Sequence, residues 1–196
     1  MRHDIRLIGF GFGLRPVEMR DAAEIVALRT DPRNQRFINE TSSSIADQEA
    51  WLQRYFERAG DWYFVIHHLA SGITEGVVGI YDYDSAANAA EWGRWVLRHG
   101  SIAAIESALL VYRAAFEAVR LDAVYCRTVA DNVQVVSFHD SSGVPRANLL
   151  EGSAVIRGVA YDQVEHRIDR ARFAQMEPRL GQLARRTAAR LDGRPT

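Results

Sequence analysis

The segment Val96-Leu97-Arg98-His99-Gly100-Ser101 ends an apolar, strand-like run and opens onto a long helical pattern. A strand feeding a helix in this way leaves the first backbone N–H groups of the helix without acceptors, and the helix dipole adds partial positive charge there. That chemistry suits an anion such as a pyrophosphate, and Arg98 can add a charged contact. Ser101 is equally an ordinary N-cap. Gly9-Phe10-Gly11-Phe12-Gly13 has the glycines of a phosphate loop. No helix pattern follows it directly and Pro16 intervenes, so it is read as glycine kinks in a strand. Cys126, inside a β-branched run, reads as small apolar filler rather than a nucleophile. His67-His68 has no further ligand at metal spacing, and no metal site is expected.

The elements that must position these residues alternate between two periodicities. Residues 5 to 17 read as a bent strand. Asp21 can cap a helix over residues 22 to 28, and Ser44-Ile45-Ala46-Asp47 has capping spacing for a second, with Trp51, Leu52, Tyr55 and Phe56 on its apolar face. Trp62 to His67, Gly76 to Tyr83 and Ala90 to Leu97 read as an antiparallel meander. Ile105, Leu109, Tyr112, Phe116 and Val119 recur at helical spacing. Val124 to Val129 returns to a strand, Asp131-Asn132 opens a helix that Gly143 ends, and Tyr161 to Ile168 is a last strand. The expectation is a mixed α/β (α+β) fold on one sheet. Residues 174 to 192 form an amphipathic helix with Leu180, Leu183, Thr187 and Leu191 on one face, read as a docking or dimer helix.

The totals narrow the function classes. The chain has 196 residues, 47% hydrophobic and 25% charged, which suits one well-buried core. A net charge of -1 gives no field toward nucleic acid or membrane, so neither is an expected partner. All 24 basic residues are arginine. One cysteine and the lack of a signal-peptide pattern point to a cytoplasmic protein.

Several strings, in order, resemble the GNAT superfamily of acyl-CoA-dependent N-acyltransferases, over about Leu14 to Ile168. They are Leu14-Arg15-Pro16-Val17 with Asp21-Ala22, Ala90-Glu91-Trp92-Gly93-Arg94-Trp95-Val96, Ser107-Ala108-Leu109-Leu110, and Asp131-Asn132 followed by His139-Asp140-Ser141-Ser142-Gly143. The resemblance implies a mostly antiparallel sheet flanked by helices, with fourth and fifth strands splayed to admit the pantetheine arm of acetyl-CoA. It implies a domain over residues 1–173, with 174–196 as an appended helix and tail. Cofactor contacts follow at Trp95, Val96 and Leu97 on the fourth strand, at Arg98, Gly100, Ser101, Ala103 and Ala104 in the loop, and at Asn132 and Phe138 on the Asp-Asn helix. Asn132 is also a natural helix cap.

Two departures stand out. The pyrophosphate loop has Ser101, Ala104 and Glu106 at its signature positions, so the usual glycine is missing and a carboxylate enters the first turns. His139 stands where the superfamily often has the tyrosine that protonates the leaving thiolate. A histidine with a pKa of about 6.5 can deliver that proton, or it packs on a helix with a satisfied ring. Glu91 is the base candidate for the incoming amine, against a solvated strand-end carboxylate. Simple alternation puts Glu91, Gly93 and Trp95 on one face and Trp92, Arg94 and Val96 on the other.

The acceptor side is read from Asn39 and Thr41 in the loop between the first helices, with Trp92 and His166. Arg29-Thr30-Asp31-Pro32 and Arg36-Phe37-Ile38-Asn39 resemble two GNAT branches, one acting on ribosomal-protein N-termini and one on amino groups of nucleotide-linked sugars as in pseudaminic-acid synthesis. Phe37-Ile38-Asn39 leans toward the second. The rivals are an N-terminal or protein acetyltransferase, a longer acyl donor, and a catalytically silent binding module motivated by Glu106.

Overall fold

The structure, a computed structural model, describes residues 2–191. The order is β1 (Leu7–Ile8), β2 (Phe12–Pro16), α1 (Ala22–Thr30), α2 (Ile45–Tyr55), β3 (Trp62–His68), β4 (Thr74–Asp84), β5 (Ala89–Leu97), α3 (Ala104–Arg113), β6 (Ala123–Val129), α4 (Val133–Ser142), β7 (Arg146–Ile156), β8 (Val159–Asp169) and α5 (Arg170–Ala189). The strands form one sheet in the order β1-β2-β3-β4-β5-β6-β8-β7. Only β5 and β6 are parallel neighbours; the other pairs are antiparallel.

Each face of the sheet carries its own core. On one face α3 and α5 cover Phe64, Ile66, Val78, Ile80 and Trp92. On the other, α1 and α2 cover Tyr63, Val65, Val77 and Val96. α3 is the central helix, and every residue from Glu106 to Tyr112 is buried. Each fully buried large apolar side chain there contributes about 1.5–3 kcal/mol, which fixes α3 against the strand that precedes it.

Three expectations change. The bent strand over residues 5 to 17 is two strands, because the chain at Phe10 to Phe12 curls round the carboxylate of Glu106, which accepts their backbone N–H groups. β7 has no counterpart in the sequence reading. Most of its side chains are exposed, so it lacks apolar alternation, and its backbone pairing with β8 holds it in place. The last helix starts at Arg170, ahead of the expected residue 174; the Asp169 carboxylate accepts the Arg172 N–H at 2.8 Å, and Pro178 lies inside the helix. Its buried stripe is Phe173, Met176, Leu180 and Ala184, part of the α3 core, while Leu191 is 39% exposed. The tail at residues 192–196 lies outside the described residues.

Candidate active site

β5 and β6 pair only at Ala89↔Ala123, Ala90↔Val124 and Glu91↔Tyr125. Beyond Glu91 the two strands part, as expected for splayed strands, and the β5 edge on that side has no ladder partner. A cleft of about 660 Å³ occupies the fork. Glu91, Trp92, Gly93, Arg94 and Trp95 line it from β5, Cys126 to Val129 from β6, Asn132, Val135 and His139 from α4, and residues of α1, α2 and the β7–β8 hairpin close its other sides.

A bulge sets which β5 side chains face the cleft. Val77 pairs with Val96 and Gly79 with Gly93, so β5 carries one residue more than β4 between those pairs. Arg94 takes up the excess at φ 50°, a left-handed conformation that an arginine adopts only when its surroundings hold it there. A bidentate ion pair with Asp61, at 2.6 and 2.9 Å, supplies that hold. The bulge corrects the simple alternation. Trp92 and Trp95 fall on the same face with ring centroids 5.6 Å apart, whereas the Arg94 guanidinium stacks on Tyr81 from the other side at 4.2 Å. Gly93 has no side chain because a Cβ there would collide with the Tyr81 hydroxyl.

Glu91 sits at the point of the fork. It is 9% exposed, accepts the Tyr81 hydroxyl at 3.1 Å, and lies 3.6 Å from Arg127. Burial raises its pKa above the ordinary carboxylate value, while the Tyr81 hydrogen bond and Arg127 pull the other way. A carboxylate whose pKa is raised toward neutrality is a stronger base than an exposed one, which suits proton abstraction.

His139 also lines the cleft but is 2% exposed, packed against Trp92, Trp95 and His166. Burial, and then the neighbouring His166, hold its pKa down to about 3. The imidazolium acid expected at this position is therefore absent at neutral pH, and the ring is neutral. Its Nε2 lies 3.5 Å from the Cys126 Sγ and its Nδ1 has no partner. Cys126 is a buried thiol whose pKa burial raises, in keeping with a filler rather than a nucleophile.

The cofactor end lies where β5 runs into α3. Gly100 turns the chain at φ 79°, Ser101 accepts the Ala103 N–H at 3.2 Å, and Ala103 is fully buried. From Ala104 on, the first-turn N–H groups have no intrahelical acceptor, which suits a pyrophosphate. Glu106 does not oppose this. It is 1% exposed, and one carboxylate oxygen accepts the N–H groups of Gly11 and Phe12 at 3.0 and 3.1 Å as well as that of Phe10. The glycine run is thus an anion nest for an internal carboxylate rather than for a phosphate.

The remaining cofactor candidates divide. Trp95 and Asn132 line the cleft, and the Asn132 side chain also caps α4 by accepting the Val135 N–H at 3.5 Å. Phe138 packs on Trp95 at 5.0 Å. The Val96 side chain is buried in the α1–α2 core, which leaves only its backbone for a cofactor. The Leu97 carbonyl accepts from the Asn34 amide at 3.2 Å, and the Arg98 guanidinium lies 3.8 Å from Glu24.

On the acceptor side, Asn39 and Thr41 line the cleft, and Arg29 holds their loop by donating to the Thr41 hydroxyl at 2.7 Å. His166 does not join them. It is 1% exposed and bonded to Asp140 at 3.0 Å, because alternation along β8 turns it inward while Glu165 meets Arg127 and Gln163 reaches the cleft. Trp92 is a wall residue at 2% exposure, fixed against Tyr112 and Trp95 rather than offered to a ligand. Tyr81, Arg94, Arg127 and Gln48 complete the lining. The contribution of Tyr81, Arg94 and Arg127 depends on the bulge and on cross-strand register, and neither leaves a local signal in the sequence.

Residues 12–144 match the family profile described as acetyltransferase (GNAT) domain. No curated protein matches the chain at a significant level. Among solved structures, FdhC in its apo form, described as a nucleotide-linked sugar GNAT, is 25% identical with a TM-score of 0.77, over 93% of this chain and 98% of its own. A variant of the spermidine N-acetyltransferase SpeG from Vibrio cholerae is 18% identical with a TM-score of 0.73, over 83% of this chain and 96% of its own. A GCN5-related N-acetyltransferase from Brucella melitensis is 16% identical with a TM-score of 0.79, over 92% of this chain and 85% of its own. The last two likenesses are of fold. With the profile spanning most of the chain and a parallel-strand fork at its centre, the chain belongs to the GNAT acetyltransferase family.

Proposed function

We propose that the chain is an N-acetyltransferase that moves an acetyl group from acetyl-CoA to a primary amine of a small molecule, a nucleotide-linked amino sugar. The observation that carries this reading is the buried Glu91 carboxylate, held by Tyr81 at 3.1 Å where β5 and β6 part. The likeness to FdhC supports the sugar-nucleotide acceptor, and the internal pairing of Glu106 removes the reason for a silent module.

Acetyl-CoA supplies an activated thioester. The open first turn of α3 binds its pyrophosphate, and the unpaired β5 edge beyond Glu91 hydrogen-bonds its amide arm. Glu91 takes the proton from the attacking amine, directly or through water. Backbone N–H on the β5 edge stabilises charge on the thioester oxygen. The walls formed by Trp92, Trp95 and His139 keep bulk water from the reacting atoms. His139, with Nε2 on the Cys126 thiol and Nδ1 buried, stays a wall residue, and the departing coenzyme A thiolate takes its proton from solvent once it is released.

Thiol release from acetyl-CoA, measured across amino-sugar nucleotides, N-terminal peptides and polyamines, tests this reading. Release is expected with amino-sugar nucleotides. Release with peptides or polyamines alone would move the acceptor class, and release with no amine would remove the transferase reading.

A further inference from the structure

The amine is one end of the acceptor; the α1–α2 side of the cleft describes the other. Gln48 is 91% buried, being 9% exposed, and lines the cleft from α2. Its side-chain amide has no hydrogen-bond partner among the described residues. The amide reaches the solvent of the cleft rather than being sealed in, so its donor and acceptor are open to a ligand. The same cleft is lined by two cations without a carboxylate partner. Arg29 donates only to the Thr41 hydroxyl and the Asn39 carbonyl, at 2.7 and 3.4 Å, and Arg54 makes no bond or ion pair among the described residues.

The carboxylates of the cleft do not balance these charges. Glu40 is held by Arg157 at 3.3 Å, and Glu91 is shared by Tyr81 and Arg127. Asp47 is exposed and accepts the Ser42 hydroxyl at 2.6 Å. Of the arginines in the lining, Arg94 is paired with Asp61 and Arg127 with Glu165, whereas Arg29 and Arg54 have no carboxylate partner. A polyamine acceptor would need the opposite balance. Trp51, stacked parallel on Tyr55 at 5.6 Å, adds a flat aromatic face to the same wall.

We propose that Arg29, Gln48 and Arg54 form a subsite for the phosphate-bearing end of the acceptor, a nucleoside diphosphate. The proposal rests on the amine-acceptor reading above and deepens it. Guanidinium groups pair with phosphate oxygens through charge-assisted, paired hydrogen bonds, and the Gln48 amide supplies the neutral donor and acceptor. The subsite lies on α1 and α2, apart from the α3 first turn that serves coenzyme A.

Calorimetric titration of uridine 5′-diphosphate into protein already saturated with coenzyme A tests it. Binding is expected under saturation, weakened about tenfold in Arg54→Ala and in Gln48→Leu, with coenzyme A affinity unchanged in both. Arg54 is exposed, so its replacement leaves the fold intact. Uridine diphosphate that binds only by displacing coenzyme A, or binds both variants as tightly as the parent, overturns the subsite. If acetyl transfer to amines persists while uridine diphosphate fails to bind, the subsite alone falls. If transfer is also absent, the transferase reading falls with it.

Discussion

Glu91→Gln is expected to lower acetyl transfer by about 10²- to 10³-fold while leaving acetyl-CoA affinity unchanged. The amide keeps the size of the side chain and can still bond the Tyr81 hydroxyl, but it cannot accept the amine proton. The pH dependence follows from the raised pKa of Glu91. A base works only when ionised, so the rate of the parent protein falls as pH drops through that raised value. In Glu91→Gln this limb disappears, and the remaining rate follows deprotonation of the amine itself, rising more steeply at high pH. His139 adds no limb of its own near pH 6.5, because its pKa is held at about 3. A Glu91→Gln profile that overlays the parent's would show that the amine arrives already deprotonated and that Glu91 is not the base.

Glu106→Ala should be the most destabilising single change in the cofactor half of the molecule, at roughly 3 kcal/mol. One carboxylate oxygen accepts three consecutive backbone N–H groups at Phe10, Gly11 and Phe12. Removing it strips a charged acceptor from all three at once, in a region where Phe12 is 1% exposed. Gly9 packs directly against the same carboxylate, so a void would open beside the loop as well. For a chain of this size the loss corresponds to a fall in Tm of about 6–12 °C by scanning calorimetry. Glu106→Gln keeps an acceptor oxygen and should recover part of the loss. A Tm unchanged in Glu106→Ala would mean that the nest is not held by this carboxylate.

What the sequence disclosed about the fold follows from how local each signal is. The meander at residues 62 to 97, the α3 apolar stripe and the Asn132 cap depend on neighbours within a few positions, and they stand where the pattern puts them. β7 was hidden because its side chains are mostly exposed, leaving only backbone pairing with β8, which has no side-chain signature. The division at Gly9 to Gly11 depends on a carboxylate almost a hundred positions away, and glycine alone does not say whether it serves a phosphate, a kink or an internal acid.

The site divides on the same line. Glu91, Trp95, Asn132, His139, Asn39 and Thr41 meet at one cleft, as their motif positions imply. Their environments were not legible. The low pKa of His139 comes from the tertiary packing that buries it and from His166 on β8. His166 itself fails as an acceptor contact because β8 turns it inward to Asp140. One extra residue in β5 re-aims everything after Gly93, so the alternation rule misplaced Arg94 and Trp95. The polar groups of the acceptor wall, Arg29 and Gln48, come from separate helices and gain meaning only when both face the cleft.

The claim on which the rest depends is that the fork between β5 and β6, with the open first turn of α3, holds acetyl-CoA. Isothermal titration of acetyl-CoA into the full chain measures it directly. Binding of one molecule per chain with a Kd in the range of roughly 1–100 µM is the predicted result. The absence of binding at millimolar acetyl-CoA would contradict the account.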